Sequence, residues 1–548
     1  MALDLPLAAV HEAIGRVRPD AECLVFRDRR LTWAQVEDRT RRLANHLLAA
    51  GHGCHTERSD LAGHESGQDH LAVYLHNGNE YLEVMLGALK ARVASLNVNY
   101  RYVAEELQYL LTDSGATVVV VHSAFAPTLA EVLETSPAVR TILQVPDDSG
   151  NELLPGAVWY EDALAAASAE KPDVDWNADD LYLLYTGGTT GMPKGVMWRN
   201  GDAMRACFGG SIDASTIDEF VADASTGGLR ALIGPPFMHG AGHWIAFRTW
   251  LGGGTVFVSS VSDRLDPHAV WSMVEREEID FLLIVGDAFA RPLLDELERL
   301  DGTLELTSLS VILSGGAALS ASLKDELLTH LPTVMVIDGL GSSEAGGQVS
   351  QVSAGGGATT GTFPVTDGNV VLSADLDGVL EPGADELGWL ARRGRLALGY
   401  LGDPAKTDRT YPVIDGIRYA VPGDRARLLD DRAGGPGVVE LHGRDSVTIN
   451  SGGEKIFAEE VEAAFRAHAA IYDCVVAGRP SERWGNEVIA VLRLRDGFEA
   501  TDAELLAEAA RHIARYKLPK QIVRVVEVQR SPSGKADYRW AAQVAARA

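Results

Sequence analysis

"YTGGTTGMPKG" (185–195) follows directly on the apolar run "LYLL" (181–184). It holds four glycines, three threonines, one proline and one lysine in eleven positions. Glycines loosen the backbone and expose N–H groups, threonines add hydroxyls, and Lys194 adds one positive charge. A loop that grips phosphates needs those groups, and a mobile surface loop can hold them too. The stretch is not a Walker motif, which needs Gly-Lys followed by Ser or Thr at a helix start. Here Pro193 precedes Lys194 and Gly195 follows it. Proline disfavours helical backbone at the residue before it. The expectation is a loop that covers phosphates instead of cupping them on a helix end.

Outward from this loop, short branched apolar runs alternate with helical patterns. "ATVVVVH" (116–122), "FLLIV" (281–285), "LSVILSGG" (309–316) and "TVMVIDGLG" (333–341) read as buried strands of a largely parallel sheet. "TWAQVEDRTRRLANHLLAA" (32–50), "EYLEVMLGALKA" (80–91) and "LKDELLTHL" (323–331) carry apolar residues at helical spacing. The pattern predicts an α/β fold. Ligands of such sheets lie beyond the carboxyl ends of strands, where the glycine-rich stretches fall. The fold expected is a large N-terminal domain (1–444) of sheets flanked by helices. A small, mobile α+β C-terminal domain (445–548) follows it.

Composition narrows the functional classes. With 548 residues and 46% apolar content the chain buries a sizeable core. Its 49 basic against 77 acidic residues give a net charge of -28. That argues against nucleic-acid or membrane-surface attraction, and any polyanionic ligand must be met by local positive groups. Cys23, Cys54, Cys207 and Cys474 form no CxxC pair, which fits free thiols in a reducing cytosol. No basic n-region with an apolar core opens the chain, and no run of eighteen apolar residues appears. The expectation is a cytoplasmic protein without an integral membrane segment. "GHGCHTERSDLAGHESGQDH" (51–70) permits two readings: a metal site from His52, Cys54, His55, His64 and His70, or a solvated loop. The spacings match no standard zinc pattern. "SAGGGATTG" (353–361) and "DDRAGGPG" (430–437) read as flexible loops.

Further stretches add up to a resemblance. In order they are "SGGAAL" (314–319), "GLGSSE" (339–344), "YAVPGD" (419–424), "GRDSVTINSGGEKIFAEEVE" (443–462) and "RSPSGK" (530–535). With 185–195 they resemble the adenylate-forming superfamily of acyl-CoA synthetases, luciferases and peptide-synthetase adenylation domains. The first stretch resembles that family's TSGTTGxPKG loop. The resemblance implies that Thr186, Gly187, Gly188, Thr189, Thr190, Gly191 and Lys194 meet the ATP phosphates. It implies that Gly315, Gly316 and Ala317 flank the adenine, and that Asp338, Gly339, Leu340, Gly341, Ser342 and Ser343 face the nucleotide. Glu344 and Thr186 would hold magnesium. Asp424 would bind the ribose, with Arg444 on ribose or phosphate. Ser446 would be a hinge, and Ser451, Gly452 and Gly453 would lie on the coenzyme A side. Lys535, Glu344 and Lys194 would be catalytic.

Elementary chemistry fits these roles. A carboxylate accepts from both ribose hydroxyls. An arginine offers a fixed donor fork. A hard carboxylate oxygen suits magnesium. A lysine between a carboxylate and the α-phosphate offsets their repulsion. Each residue alone also has a plainer reading. Asp424 fits a surface turn, Arg444 and Lys535 solvated charges, and Glu344 a helix start. The chain departs from the family at Leu340, where an aromatic often stacks on adenine. It departs again at Ser446, usually Asp or Lys, and at Gly187, which replaces a serine.

In this family "PPFMHGAGHW" (235–244), with Gly315, builds the acyl pocket. His239 stands either as its gate or as a half-buried structural histidine. Gly240 and its small neighbours suggest room for a bulky apolar acid, and Trp244 could instead cap it. The segment carries no acidic residue to greet an amino group. The chain stops shortly after Lys535 with no carrier segment, so coenzyme A is the expected acceptor. The motifs look most like those of bacterial, especially actinobacterial, enzymes acting on fatty acids or sterol side chains. The function implied is an ATP-dependent acyl-CoA synthetase. It makes acyl-CoA from a carboxylic acid through acyl-AMP, releasing AMP and pyrophosphate. ATP, Mg2+ and coenzyme A are its cofactors and a homodimer is compatible. The alternatives are an adenylating enzyme loading a separate carrier protein, or a non-catalytic nucleotide-binding protein.

Overall fold

The computed structural model describes residues 4–186, 192–209, 214–430, 437–451, 454–481, 484–532 and 534–548. The chain forms two compact units. One is Met1–Leu283, Ser343–Gly347 and Arg395–Tyr411; the other is Ile284–Ser342, Gln348–Gly394 and Pro412–Ala548.

In the first unit the apolar runs become a sheet of eight strands. Its order is Gly399–Tyr400, Lys194–Arg199, Leu181–Thr186, Ala94–Asn97, His70–Tyr74, Val118–His122, Thr141–Val145 and Val158–Trp159. Pairing is parallel from Leu181–Thr186 onward and antiparallel between the first three strands. Every residue of His70–Tyr74 and Val118–His122 is buried, as expected for strands covered on both faces. The helices Trp33–Ala49 and Asn79–Lys90 fall at predicted periodic stretches, and Ala104–Ser114 is a further helix that the reading did not name. Thr32 caps the first, and Gln35 reaches back to complete a capping box. A second sheet orders Arg29–Thr32, Glu22–Phe26, Thr255–Val258, Arg230–Ile233 and Phe281–Ile284.

The second unit holds the parallel pair Val311–Gly315 and Met335–Ser342, in register from Val311↔Met335 to Gly315↔Gly339. It also holds an antiparallel sheet that the reading of a largely parallel fold missed. That sheet runs Thr362–Pro364, Val438–Arg444, Asp424–Leu429, Gly388–Arg393, Ile417–Ala420 and Val413–Ile414. Its strands are short and half-buried, with polar residues interleaved, so no apolar run announces them. Near the C-terminus, Ile471–Ser481 and Gly485–Leu494 form a long antiparallel pair, flanked by Thr448–Ser451 and Gln521–Arg524. Helices Ala458–Arg466 and Asp502–Ala509 bury Val461, Phe465, Leu505 and Ala509 against it.

The histidine-rich stretch 51–70 is largely the exposed loop of the second reading, anchored by buried residues at its two ends. His52 and His70 are buried. His52 bonds Thr141 Oγ1 at 2.8 Å, and His70 bonds Ser66 Oγ at 2.7 Å and the Ser114 carbonyl. The Asp69 carboxylate gathers His55 at 2.6 Å, Arg140 at 2.7 Å and Thr117 at 2.9 Å. Among the described residues no group of three or more His, Cys, Asp and Glu is placed to hold a metal. The buried polar residues at its ends are spent on one another and on neighbouring elements, while most of the stretch between them stays open to solvent. No helix among the described residues is long and apolar enough to cross a membrane.

Candidate active site

The decisive loop leaves the sheet as a hairpin. Leu181–Thr186 and Lys194–Arg199 pair antiparallel from Leu181↔Arg199 to Thr186↔Lys194. No helix starts at Lys194. The predicted phosphate residues Gly187, Gly188, Thr189, Thr190 and Gly191 lie outside the described residues; Thr186 and Lys194 mark the two ends. Gly195 is needed here for space, because a Cβ on it would lie 2.6 Å from the Tyr185 ring. That ring's hydroxyl donates to Asp113 Oδ2 at 3.0 Å, and Lys194 Nζ donates to Asp113 Oδ1 at 3.0 Å. Partial burial works against the Lys194 charge, but hydrogen bonds with Tyr109 and Asp113 outweigh it and raise the pKa.

The returning strand gathers Glu344, the carboxylate expected on the metal side, in the same unit. Trp198 Nε1 donates to the Ser343 carbonyl at 2.8 Å. Tyr400 pairs with Val196, and the Tyr400 hydroxyl donates to Glu344 Oε1 at 2.8 Å. The Tyr411 hydroxyl donates to the Glu344 carbonyl at 3.2 Å. Lys406 Nζ stands 4.0 Å from the centre of the Tyr400 ring. Burial lowers the Lys406 pKa, with Glu344 acting to raise it. The sequence reading missed Tyr400, Lys406 and Asp113. "GYLGDPAKT" (399–407) carried a signal in its Asp-Pro: Asp403 caps helix Pro404–Thr410 and Pro404 opens it.

In the acyl segment, His239 is half-buried at the N-cap of helix Gly240–Leu251. The small residue Gly240 does not leave open room, since a Cβ there would come within 3.0 Å of the Trp244 ring and 3.2 Å of Leu184. Trp244 is held in turn. Its Nε1 donates to Tyr182 OH at 2.9 Å, and that hydroxyl donates to His243 Nε2. His243 Nδ1 donates to the Phe237 carbonyl at 2.6 Å; a carbonyl only accepts, which fixes the tautomer. Burial drives the His243 pKa down to about 4, so the ring is neutral at pH 7.

The second unit holds most of the residues expected on the nucleotide side, while Ser343 belongs to the first. Gly315 and Gly339 end a register pair at the carboxyl ends of parallel strands, where such sheets bind ligands. A Cβ on Gly315 would find only the Gly339 carbonyl, at 3.6 Å, and one on Gly339 would come no nearer than 3.6 Å to anything. Gly316 has φ +92°, and a Cβ on it would lie 3.8 Å from Val285 Cγ1 and 3.9 Å from Lys535 Cε. Glycine thus keeps a backbone cradle open beside the expected catalytic lysine. Ala317 follows within the same loop, and Leu340 packs half-buried on the core around Phe363 and Val439. Gly341 and Ser342 close strand Met335–Ser342.

The two buried aspartates of this unit differ. Asp338 Oδ2 accepts from the fully buried Lys324 at 2.8 Å. Burial raises the Asp338 pKa against the pull of that lysine. Asp424 is 3% exposed. Its Oδ1 accepts from Arg444 Nε at 3.1 Å, while its buried Oδ2 has no hydrogen-bond partner. An orphaned buried carboxylate oxygen is costly unless a ligand completes it, and a sugar hydroxyl has the right chemistry.

Lys535 does not stand on a free tail. Arg530 donates to both oxygens of Asp473, at 2.7 and 2.6 Å, and to the Gly534 carbonyl at 2.9 Å. Gly534 has φ +74° and is buried beside Val285 and Ala288. Ser446 lies in the 3-10 turn Asp445–Val447, and Ser451 ends strand Thr448–Ser451. Gly452 and Gly453 lie outside the described residues.

Comparisons with known proteins agree with this anatomy. The family model described as AMP-binding enzyme matches residues 11–401, and that of the AMP-binding enzyme C-terminal domain matches 460–535. The medium-chain acyl-CoA ligase Mig of Mycobacterium avium is 52% identical over 98% of both chains. The 3-oxocholest-4-en-26-oate–CoA ligase of Rhodococcus rhodochrous is 39% identical over 99% of this chain and 96% of its own. The crystal structure of an anthranilate CoA ligase with anthranoyl-AMP superposes with a TM-score of 0.82 at 20% identity, covering 100% and 98% of the two chains. With a family model spanning 11–401 and full-length relatives, this chain belongs to the AMP-binding enzyme family and has the adenylate-forming fold, a large N-terminal domain followed by a small C-terminal one.

Proposed function

We propose that this chain is an ATP-dependent, AMP-forming acyl-CoA synthetase acting on medium-chain carboxylic acids. One observation carries the reading: Lys535 stands at the glycine cradle of Gly315, Gly316 and Gly339, in the unit where Asp424 keeps an unsatisfied oxygen. In the first step a carboxylate oxygen of the acid bonds to the α-phosphorus of ATP and pyrophosphate leaves. The Lys535 ammonium offsets the repulsion of two anions and the charge that builds on the phosphoryl oxygens. Asp424 Oδ2 accepts from the ribose, and Lys194 and the loop behind Thr186 meet the phosphates. Glu344 and Thr186 would hold a magnesium ion, which neutralises phosphate charge when bound. In the second step the coenzyme A sulfur bonds to the acyl carbon, the carbon–oxygen bond to phosphate breaks, and AMP departs. The thiol proton goes to solvent.

The domain boundary is placed after Arg444, with Ser446 at the pivot and Ser451, Gly452 and Gly453 on the coenzyme A side. Medium chain length rests on the Mycobacterium avium relative and on Trp244, which fills the space above Gly240. Sterol side-chain acids are the second class to try. We place the enzyme in the cytoplasm, and a homodimer is compatible with the reading. The test is a product assay with ATP, coenzyme A and acids from acetate to palmitate, plus a sterol side-chain acid. AMP, pyrophosphate and acyl-CoA are expected. ADP and phosphate as the only products would overturn the reading, and acyl transfer only to a carrier protein would replace the acceptor.

A further inference from the structure

Helix Ala458–Arg466 places Glu459 in its first turn. The carboxyl reaches back across the turn Asp445–Val447 to the end of strand Val438–Arg444. There the carboxyl packs on Gly443, and the Arg444 backbone amide beside it favours the charged form. Its Oε2 is buried and has no hydrogen-bond partner. Gly443 makes the approach possible: its φ is +119°, and a Cβ on it would lie 2.6 Å from that oxygen. Arg444 then donates through its side chain to Asp424 at 3.1 Å. One unbroken chain of contacts thus runs from the helix, through the strand end, to the proposed ribose carboxylate. It crosses the boundary at which the two domains of the proposed enzyme divide.

We infer that Glu459 is a positioning residue that braces Gly443–Arg444 on helix Ala458–Arg466, so that uptake of its proton favours the pose seen here, with Lys535 at Gly316, and loss of that proton favours release. The inference rests on the proposed two-step function, because release matters only if Lys535 must leave for the second step. A helix N-terminus ordinarily favours a carboxylate. Here burial acts first and the neighbouring Glu462 second, and they raise the Glu459 pKa from 4.5 to about 7. The facing charges do not reverse this. Arg444 pulls the value down, and Tyr538, from helix Tyr538–Arg547, also senses Glu459. Lys455 on the adjoining strand stands 3.7 Å from Asp445. Asp473 and Cys474 on strand Ile471–Ser481 act on Arg466, which pairs with Glu462 at 3.1 Å. Helix Asp502–Ala509 brings Leu505 and Ala509 to the shared core.

The sign follows from linkage. A glutamate that regains its ordinary pKa on release makes the docked pose weaker as pH rises toward 7, by up to about tenfold per pH unit. Rates of acyl-AMP formation and of thioester formation from synthetic acyl-AMP are measured separately, the second expressed per concentration of coenzyme A thiolate. In the wild type, the ratio of the first to the second should fall about tenfold between roughly pH 6 and pH 8. Glu459→Gln keeps the shape and stays neutral. Its ratio should remain near the wild-type low-pH level, changing by less than about twofold. Glu459→Ala removes the brace, and its ratio should stay flat at the wild-type high-pH level. If the wild-type and Glu459→Gln profiles superimpose, the inference is overturned. If Glu459→Gln does not fold, Glu459→Ala decides: a profile parallel to wild type overturns the inference, since thiol ionisation enters both alike. Tryptic cleavage after Arg444, compared between proteins at each pH, reads the same brace without catalysis. It should rise with pH in the wild type relative to Glu459→Gln, and an equal rise in both also overturns the inference. A wild type that makes no acyl-AMP from any acid defeats the functional reading instead.

Discussion

Asp424→Asn tests the nucleotide site most directly. Asp424 Oδ1 takes the Arg444 donor at 3.1 Å and Oδ2 is buried without a partner. Arginine has no acceptor, so the asparagine must turn its carbonyl oxygen toward Arg444. Its NH2 then occupies the Oδ2 position and presents a donor where ribose hydroxyls need an acceptor. The variant keeps size and one hydrogen bond but loses a charge-assisted one. Such a bond is worth about 1.5–3 kcal/mol, or about 10- to 150-fold in kcat/KM for ATP. Pyrophosphate release at varied ATP measures the loss, and a melting curve confirms the fold. 2′-Deoxy-ATP and 3′-deoxy-ATP close the cycle. If the lost bond goes to ribose, removing one hydroxyl should cost the wild type much and Asp424→Asn little. Full additivity of the two losses, or an ATP dependence within twofold of wild type, would refute the assignment.

Lys535→Ala should lower acyl-AMP formation by about two powers of ten or more while still converting synthetic acyl-AMP to thioester; equal loss in both steps would point to a structural role. Gly195→Ala pushes a methyl to 2.6 Å from the Tyr185 ring, which should cost about 1–3 kcal/mol of stability and raise KM for ATP by loosening the Asp113–Lys194 pair, as melting and kinetics will show. Trp244→Leu removes the ring that covers Gly240, so the preferred fatty acid should lengthen in a competition assay; an unchanged profile would place the acyl chain elsewhere. Ser446→Pro removes φ freedom at the proposed pivot and should spare pyrophosphate release while acyl-CoA formation falls steeply, and wild-type rates for both steps would move the pivot.

The parallel strands and the phosphate hairpin were legible because each is local. Val118–His122 is an uninterrupted buried run, and Pro193 before Lys194 ruled out a helix start. The antiparallel sheet between 362 and 444 was not legible. A strand such as Gly388–Arg393 mixes buried and half-buried positions and ends in two arginines, so periodicity had little to register. The residue types of the site came from motif order, but their partners did not. Asp113 meets Lys194 across 81 positions, and Tyr400 meets Glu344 across 56. Such pairs depend on sheet order and side-chain direction, which sequence spacing does not encode. The anchors of the histidine-rich stretch were hidden for the same reason, since their partners Thr141, Ser114 and Arg140 come from distant elements.

A chain of net charge -28 that binds a polyphosphate must solve a local problem. Two of the expected cations are already in ion pairs: Lys194 is on Asp113 and Arg444 is on Asp424. A third pair, of Lys324 with the expected nucleotide-side Asp338, lies in the core. The pairs differ in what a ligand could do to them. Lys324 and Asp338 are both buried, so separating them strands two charges out of water, at several kcal/mol. That pair fixes strand Met335–Ser342 and is unsuited to exchange with a nucleotide. Lys194 and Asp113 are partly exposed, so phosphate oxygens can replace the carboxylate at little desolvation cost. The Asp424 pair needs no exchange, since Arg444 occupies one oxygen and leaves the other open. On the proposed roles, phosphate binding at Lys194 would therefore be a substitution that Asp113 moderates, and ribose binding at Asp424 an addition that completes a buried group. Sugar contacts should consequently contribute more to ATP affinity than the loop lysine does, a ranking opposite to the one that counting charges would give.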